Sequence, residues 1–237
     1  MNLEPQYHTQ GAAAASASVD ARAAFLVKTY LHLVAAIFAF VFLEFAMFAL
    51  GIPYLFANLL FSFGNLAWLL VMGGFIGVSY LANWWARSGG NPLMQYAGLG
   101  LYVVAEAVIF MPLLLMASVY DPAAIPTAGL VTLVLFGGLT GVVFITRKDF
   151  SFMKGILGVI ALAGLGTIVA SLLFGFSLGV WFSGAMILLA GGYILYDTSN
   201  VLLHYRTDQH VAAALALFSS VALLFWYVLR IFLQSRR

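Results

Sequence analysis

The sequence predicts an all-α membrane protein, a bundle of seven transmembrane helices. Three observations carry this. Hydrophobic residues make up 64% of the 237 and charged residues only 8%, with a mean hydropathy of +1.06. A soluble domain is about 45–50% apolar and about 25% charged, so this chain has too few charges to cover a water-facing surface. The apolar residues fall into seven segments, each close to the roughly 20 residues that cross a bilayer as a helix. The links between them are short and rich in turn residues: "GIPY", "RSGGNP", "YDPAAIP", "RKDFSF", "FGFSLG" and "HYRTDQH". Short links make each helix antiparallel to the next and leave no room for an extramembrane domain.

In chain order, residues 1–24 are small, polar and weakly charged. They lack the basic start and apolar core of a signal peptide and read as a mobile tail. Residues 25–237 form the seven-helix domain, with spans at 29–50, 65–86, 93–118, 126–146, 155–174, 182–203 and 211–233. Basic residues set the orientation. Arg22, Lys28, Arg87, Arg147, Lys148, Lys154 and Arg206 lie in the tail and in the second, fourth and sixth links. The first, third and fifth links hold no Lys or Arg. The N-terminus is therefore expected in the cytoplasm and the C-terminus outside, against the weaker contrary signal of Arg236 and Arg237. Gly73 with Gly77, Gly137 with Gly141, and Gly158, Ala161, Gly164 and Gly166 recur at helical spacing and are expected to let helices approach closely. Trp84, Trp85, Tyr120 and Trp181 fall near span ends, where aromatic rings anchor at the interface.

Four charged residues lie inside the predicted spans: Glu44, Glu106, Asp197 and Arg230. A charge at the bilayer centre costs at least about 2.5–3.5 kcal/mol, so each must face protein or water. At about 1.5 Å per residue, Glu106 lies near the midplane, Asp197 in the cytoplasmic half, and Glu44 and Arg230 in the outer half. Glu44 and Arg230 are read either as functional groups in the outer half or as a structural ion pair there. Glu106 and Asp197 each carry two readings. Desolvation disfavours the charged form of a carboxyl, which makes each a proton-sensing or pore residue. Alternatively, each simply bonds a neighbouring helix.

Net charge +2 and the absence of any long Lys/Arg run give no nucleic-acid surface. With no cysteine there are no thiol nucleophiles, disulfides or cysteine metal sites. Aspartyl intramembrane proteases pair a Tyr-Asp aspartate with one in Gly-x-Gly-Asp. Tyr196–Asp197 is present, but "GLGL" and "GLGT" lack the second acid, and one carboxyl cannot serve as both acid and base. Ser79 has no histidine at its level to act as base. A retinal-type receptor needs a lysine inside the last helix, whereas Lys28, Lys148 and Lys154 sit at loop edges. No enzyme and no cofactor is expected.

Two stretches add a resemblance. "TRKDFSFMKG" (146–155), and "LYDTSNVLLHY" (195–205) followed by "AALALFSSVALLFWYVLRIF" (213–232), resemble the bacterial branch of the Bax inhibitor-1 family. The resemblance implies a bundle with the last helix central, surrounded by the other six, in a bacterial cytoplasmic (inner) membrane. It also implies a pH-sensitive calcium leak held shut by two aspartates, on the sixth and seventh helices, that share a proton. Asp197 matches the first. The second falls ten residues before the arginine of "LRI", which is Ser220 here. A lone carboxyl cannot form a coupled like-charge pair, though a serine can donate to it. Glu106 is a substitute partner if the third helix faces the sixth. Arg87 stands where relatives carry a base that pairs with the sixth-helix aspartate. Relatives without the second aspartate resemble modulators of a membrane-anchored AAA metalloprotease, for which the N-terminal tail would be a handle. The expected partners are thus the lipid bilayer, calcium or protons, and, on the alternative, that protease.

Overall fold

Backbone amides immersed in hydrocarbon have no water to bond, so each apolar segment closes its own hydrogen bonds as a helix. In a computed structural model, residues 12–89 and 91–235 are described. They form α1 (Val19–Ala49), α2 (Ile52–Ala86), α3 (Pro92–Tyr120), α4 (Ala124–Thr146), α5 (Met153–Phe174), α6 (Val180–Leu203) and α7 (His210–Ser235). All seven are long and apolar enough to span a bilayer. The last five match their predicted spans to within two residues at each end.

The first two helices depart from expectation. α1 starts ten residues early, at Val19, where the Ser18 side chain accepts from the Ala21 amide and caps it. The tail expected over residues 1–24 is corrected accordingly. Ala14 is fully buried, its amide donates to the Tyr205 carbonyl, and the Thr207 amide donates to the Ala12 carbonyl. This short antiparallel bridge fixes residues 12–14 to the α6–α7 link; residues 1–11 lie outside the described residues, as do Arg236 and Arg237. α2 begins at Ile52, on Gly51 in the left-handed conformation (φ 71°) with proline in the first turn, and breaks at Gly64 (φ 58°, ψ −144°). The predicted second span begins just after that break. Residues 52–63, which lie outside the predicted spans, form a separate helical arm that exposes Leu55, Leu59, Phe61 and Phe63.

α7 is the hub. Of its most apolar stretch 72% is buried, against 11% for α2 and α5. It packs on α1, α2, α3, α4 and α6, while α5 rests on α6 and α2. Small side chains at Ala212, Ala213, Ala214, Ser220 and Ala222 are all buried along it, which lets neighbours approach where no hydrophobic effect between helices drives them together. Of the glycines expected to make close contacts only Gly164 does so, and the tightest approach falls on a glycine outside that set. A Cβ on Gly98 would lie 2.5 Å from the Ala82 carbonyl oxygen and 2.6 Å from the Ala86 nitrogen, so α3 presses backbone to backbone on α2. Gly164 meets Met186, and Gly192 meets Leu157. Gly73, Gly77, Gly137, Gly141, Gly158 and Gly166 face open space. Trp84, Tyr120 and Trp181 are exposed near helix ends, as membrane anchors are.

The basic links share one end of the bundle. Asp149 of the α4–α5 link meets His204 after α6, the N-terminal segment pairs with 205–207, and Arg87 lies within electrostatic reach of Tyr205. Antiparallel succession puts the α1–α2, α3–α4 and α5–α6 links and the end of α7 opposite. There Asn65 donates to the Leu172 carbonyl and Gln234 to the Leu178 carbonyl.

Candidate functional site

Asp197 lies on α6 nearly two turns before the helix ends at Leu203 on the basic side, and is 8% exposed. Its face of α6 is set by Ala190, Ile194 and Val201, which turn toward the core and bring the carboxyl with them. The Ser220 hydroxyl of α7 donates to Asp197 Oδ2 at 2.5 Å. Arg87, at the C-cap of α2, acts on Asp197 electrostatically without forming a close ion pair. Asp197, Ser220 and Arg87 therefore converge.

Glu106 reaches the same region by another route. α3 packs chiefly on α2, α7 and α1, and its contact with α6 is slight at most, so Glu106 approaches Asp197 by way of α7. One turn before it, the Tyr102 hydroxyl donates to Ser219 Oγ at 2.8 Å and stands within electrostatic range of both Glu106 and Asp197. Ser219 and Ser220 are consecutive on α7. The two acids are thus linked through Tyr102, Ser219 and Ser220. Tyr102 and Ser219 are functional candidates that sequence reasoning missed. The available signal was the i, i+4 spacing of Tyr102 and Glu106 on one helical face.

Farther from the basic end than this polar layer, the interior closes with aromatics. Phe110 of α3 stacks on Phe225 (5.6 Å between centroids) and packs edge-on to Trp226 (5.0 Å), both of α7. Phe40 of α1 packs against Phe110 (5.1 Å) and Phe218 (6.2 Å). Beyond the plug a vestibule of about 660 Å³ opens at the far end, lined by Asn65, Trp68, Asp121, Trp226, Arg230 and Gln234 among others.

The expected Glu44–Arg230 pair is not formed, and this is a correction. Glu44 completes the buried stripe Phe25, Thr29, Leu33, Ala36, Phe40 on α1, one turn outward of Phe40. Both its carboxyl oxygens are buried without a hydrogen-bond partner. Arg230 instead reaches the α5–α6 link, donating to the Leu178 carbonyl at 3.2 Å with its guanidinium 6.0 Å from the Phe182 ring centroid. The two side chains leave α1 and α7 toward different neighbours, which sequence depth alone does not reveal.

The two motifs that carry the resemblance dock on each other. Ser199 Oγ accepts from the Phe150 amide at 2.9 Å. Asp149 accepts from the Ser151 amide at 2.8 Å and pairs with His204 Nε2 at 3.0 Å. The backbone amide of Ser151, with a smaller contribution from His204, holds the Asp149 carboxyl below its ordinary range. Among the described residues no cluster of three His, Asp or Glu side chains is placed to hold a metal ion.

Comparison with known proteins accords with this architecture. The model of the family described as "Inhibitor of apoptosis-promoting Bax1" matches residues 22–237. The chain is 29% identical over 215 residues to Bax inhibitor 1 of Schizosaccharomyces pombe, covering 89% of this chain and 76% of that one. An uncharacterized protein of Pseudomonas aeruginosa is 33% identical over 111 residues, 46% of this chain and 50% of its own length. A BI1-like protein of Arabidopsis thaliana is 32% identical over 111 residues, 45% and 43% respectively. The match thus spans half or less of these last two relatives. The family match covers both the seven helices and the Asp197 region, and the chain is a multi-pass membrane protein of the Bax inhibitor-1 family.

Proposed function

We propose that the chain is a pH-sensitive cation leak pathway, with calcium the expected ion, in a bacterial cytoplasmic membrane, and that Asp197 is its proton-sensing carboxyl. The observation that carries this reading is the layered interior. An outer vestibule is followed by the Phe40–Phe110–Phe225–Trp226 plug, and this by a polar layer of Glu106, Tyr102, Ser219, Ser220 and Asp197 that approaches Arg87 at the basic end. A hydrophobic constriction shuts a pore by excluding water. Carboxyls on both sides of it, with Glu44 outward and Glu106 and Asp197 inward, give a cation successive places to pause. Ionisable groups at membrane depth are costly and recur along ion and proton paths. Protonation of Asp197 removes the charge that attracts both a cation and Arg87, so flux follows its titration. By the basic-residue rule the Arg87 end faces the cytoplasm.

The test is calcium flux into proteoliposomes across a pH series. Wild type is expected to show pH-dependent flux and Asp197→Asn a flattened profile. Identical profiles for the two proteins would sink the assignment.

A second reading, a modulator of a membrane-anchored AAA protease that transports nothing, draws on Ser220 standing where the channel-like relatives carry their second aspartate. Against it, residues 12–14 are bonded to 205–207 and are not a free handle. Co-purification of the protease, lost on deleting residues 1–11, together with absent ion flux would favour it.

A further inference from the structure

At the basic end, the segment before α1, the first turns of α1 and the last turn of α4 enclose a cleft of about 510 Å³. Its floor is the buried Leu202 of α6, and Ala15, Ala17, Val19, Ala23, Leu26 and Phe144 complete its apolar walls. Arg22 and Arg147 are the charged residues that line it, and no carboxylate does. The ion pairs among the described residues are His204–Asp149 and Arg206–Asp208, so neither guanidinium pairs with an acid among the described residues. Arg147 caps α4 in the left-handed conformation (φ 51°), the one non-glycine residue so strained among the described residues. Both guanidiniums border the same largely apolar space, where an anion would meet positive charge and little competing polar surface. The guanidinium fork suits phosphate oxygens two at a time.

The surroundings indicate which anion. α1 and α4 both pack on α7 and touch each other through Tyr30 and Phe144 (5.9 Å between ring centroids). Continuing from the cleft toward the bilayer core, Val27, Leu31 and Val34 of α1 and Val142 and Ile145 of α4 are exposed and apolar. A phosphate held at the arginines therefore has hydrocarbon-facing surface directly beside it, the arrangement that an acyl chain requires. We propose that this cleft binds an anionic phospholipid, its headgroup phosphate between Arg22 and Arg147 and its acyl chains along the outer faces of α1 and α4. Basic pockets at helix ends on one face of a membrane protein recognise lipid headgroups in this way. The proposal does not depend on any ion flux.

The test uses the full chain, exchanged into micelles holding equal amounts of phosphatidylglycerol and phosphatidylcholine, with retained lipid counted by native mass spectrometry. Wild type is expected to retain phosphatidylglycerol selectively, and excess inorganic phosphate is expected to leave it in place. The double variant Arg22→Ala/Arg147→Ala should lose this preference by roughly tenfold or more, since each basic group near the surface contributes about fivefold. Lys28→Ala/Lys154→Ala removes the same charge from the same end outside the cleft and should retain the lipid. Equal retention by the arginine variant, or equal loss by the lysine variant, overturns the proposal in favour of diffuse surface attraction. Displacement by inorganic phosphate overturns the lipid assignment in favour of a soluble anion. Should the arginine variant not fold, Ala23→Trp, which fills the cleft and leaves its charge intact, must lower retention by itself, and unchanged retention there counts against the site.

Discussion

Ser220 Oγ of α7 donates to Asp197 Oδ2 of α6 at 2.5 Å, inside the bundle. The bond occupies the place where the family resemblance leads one to expect a second aspartate. One carboxyl with a hydroxyl partner titrates as a single group, whereas two carboxyls in contact titrate in two coupled steps. Ser220→Asp is therefore expected to broaden the pH dependence of calcium flux from one transition into two. Ser220→Ala leaves a buried carboxyl oxygen without its donor and should destabilise the fold by about 1–3 kcal/mol. Thermal unfolding in detergent and flux against pH check the two expectations separately. A one-step profile for Ser220→Asp would count against coupling at this position.

Much of this was legible in the sequence, and the parts that were not share a cause. Span positions follow from hydropathy alone, because a helix in lipid must be apolar along its length. That Asp197 faces protein follows from the cost of exposing it to lipid. Which side chains meet depends on how helices rotate about their axes, and a nearly uniform apolar chain carries little signal for that. Hence the Glu44–Arg230 pair was drawn from shared depth and is absent, while the Tyr102–Ser219 bond went unseen. The break at Gly64 also escaped notice, because glycine is common in membrane helices that continue through it.

The aromatic plug is expected to carry the closed state. Phe110 touches Phe40, Phe225 and Trp226 and is 1% exposed. Phe110→Ala removes the side chain that joins the vestibule side to the polar layer. It should cost about 3–5 kcal/mol of stability and raise calcium flux at every pH, weakening its pH dependence. Flux assays at matched protein density measure this, and unchanged flux would place the barrier elsewhere.

Close helix contact is concentrated at Gly98. Gly98→Ala puts a methyl against the Ala82 and Ala86 backbone, which cannot move aside as a side-chain tip does. Separation of α2 from α3 and a marked loss of thermal stability are expected. Gly77→Ala and Gly141→Ala meet nothing within 4 Å, so each should be neutral, or stabilising by up to about 1 kcal/mol through helix propensity. The ordering of the three melting temperatures tests the packing directly, and it reverses what glycine spacing alone suggests.

The α4–α5 link should release in acid. The Asp149 carboxyl, held below the ordinary 3.8 chiefly by the Ser151 amide, stabilises the docked link wherever it is ionised. A depressed folded-state value places that stabilisation above the unfolded value and removes it as pH falls through the folded one. The pair with His204 is about half exposed, so its own contribution is small. The chain has no cysteine, so Phe152→Cys, at an exposed position, takes a single spin label. Label mobility is expected to stay low at neutral pH and to rise only below the ordinary carboxylate range. Asp149→Asn, which cannot ionise, should show raised mobility at all pH values. A label equally immobile in Asp149→Asn and wild type would show that Ser199 and the Phe150 amide hold the link without help from the acid.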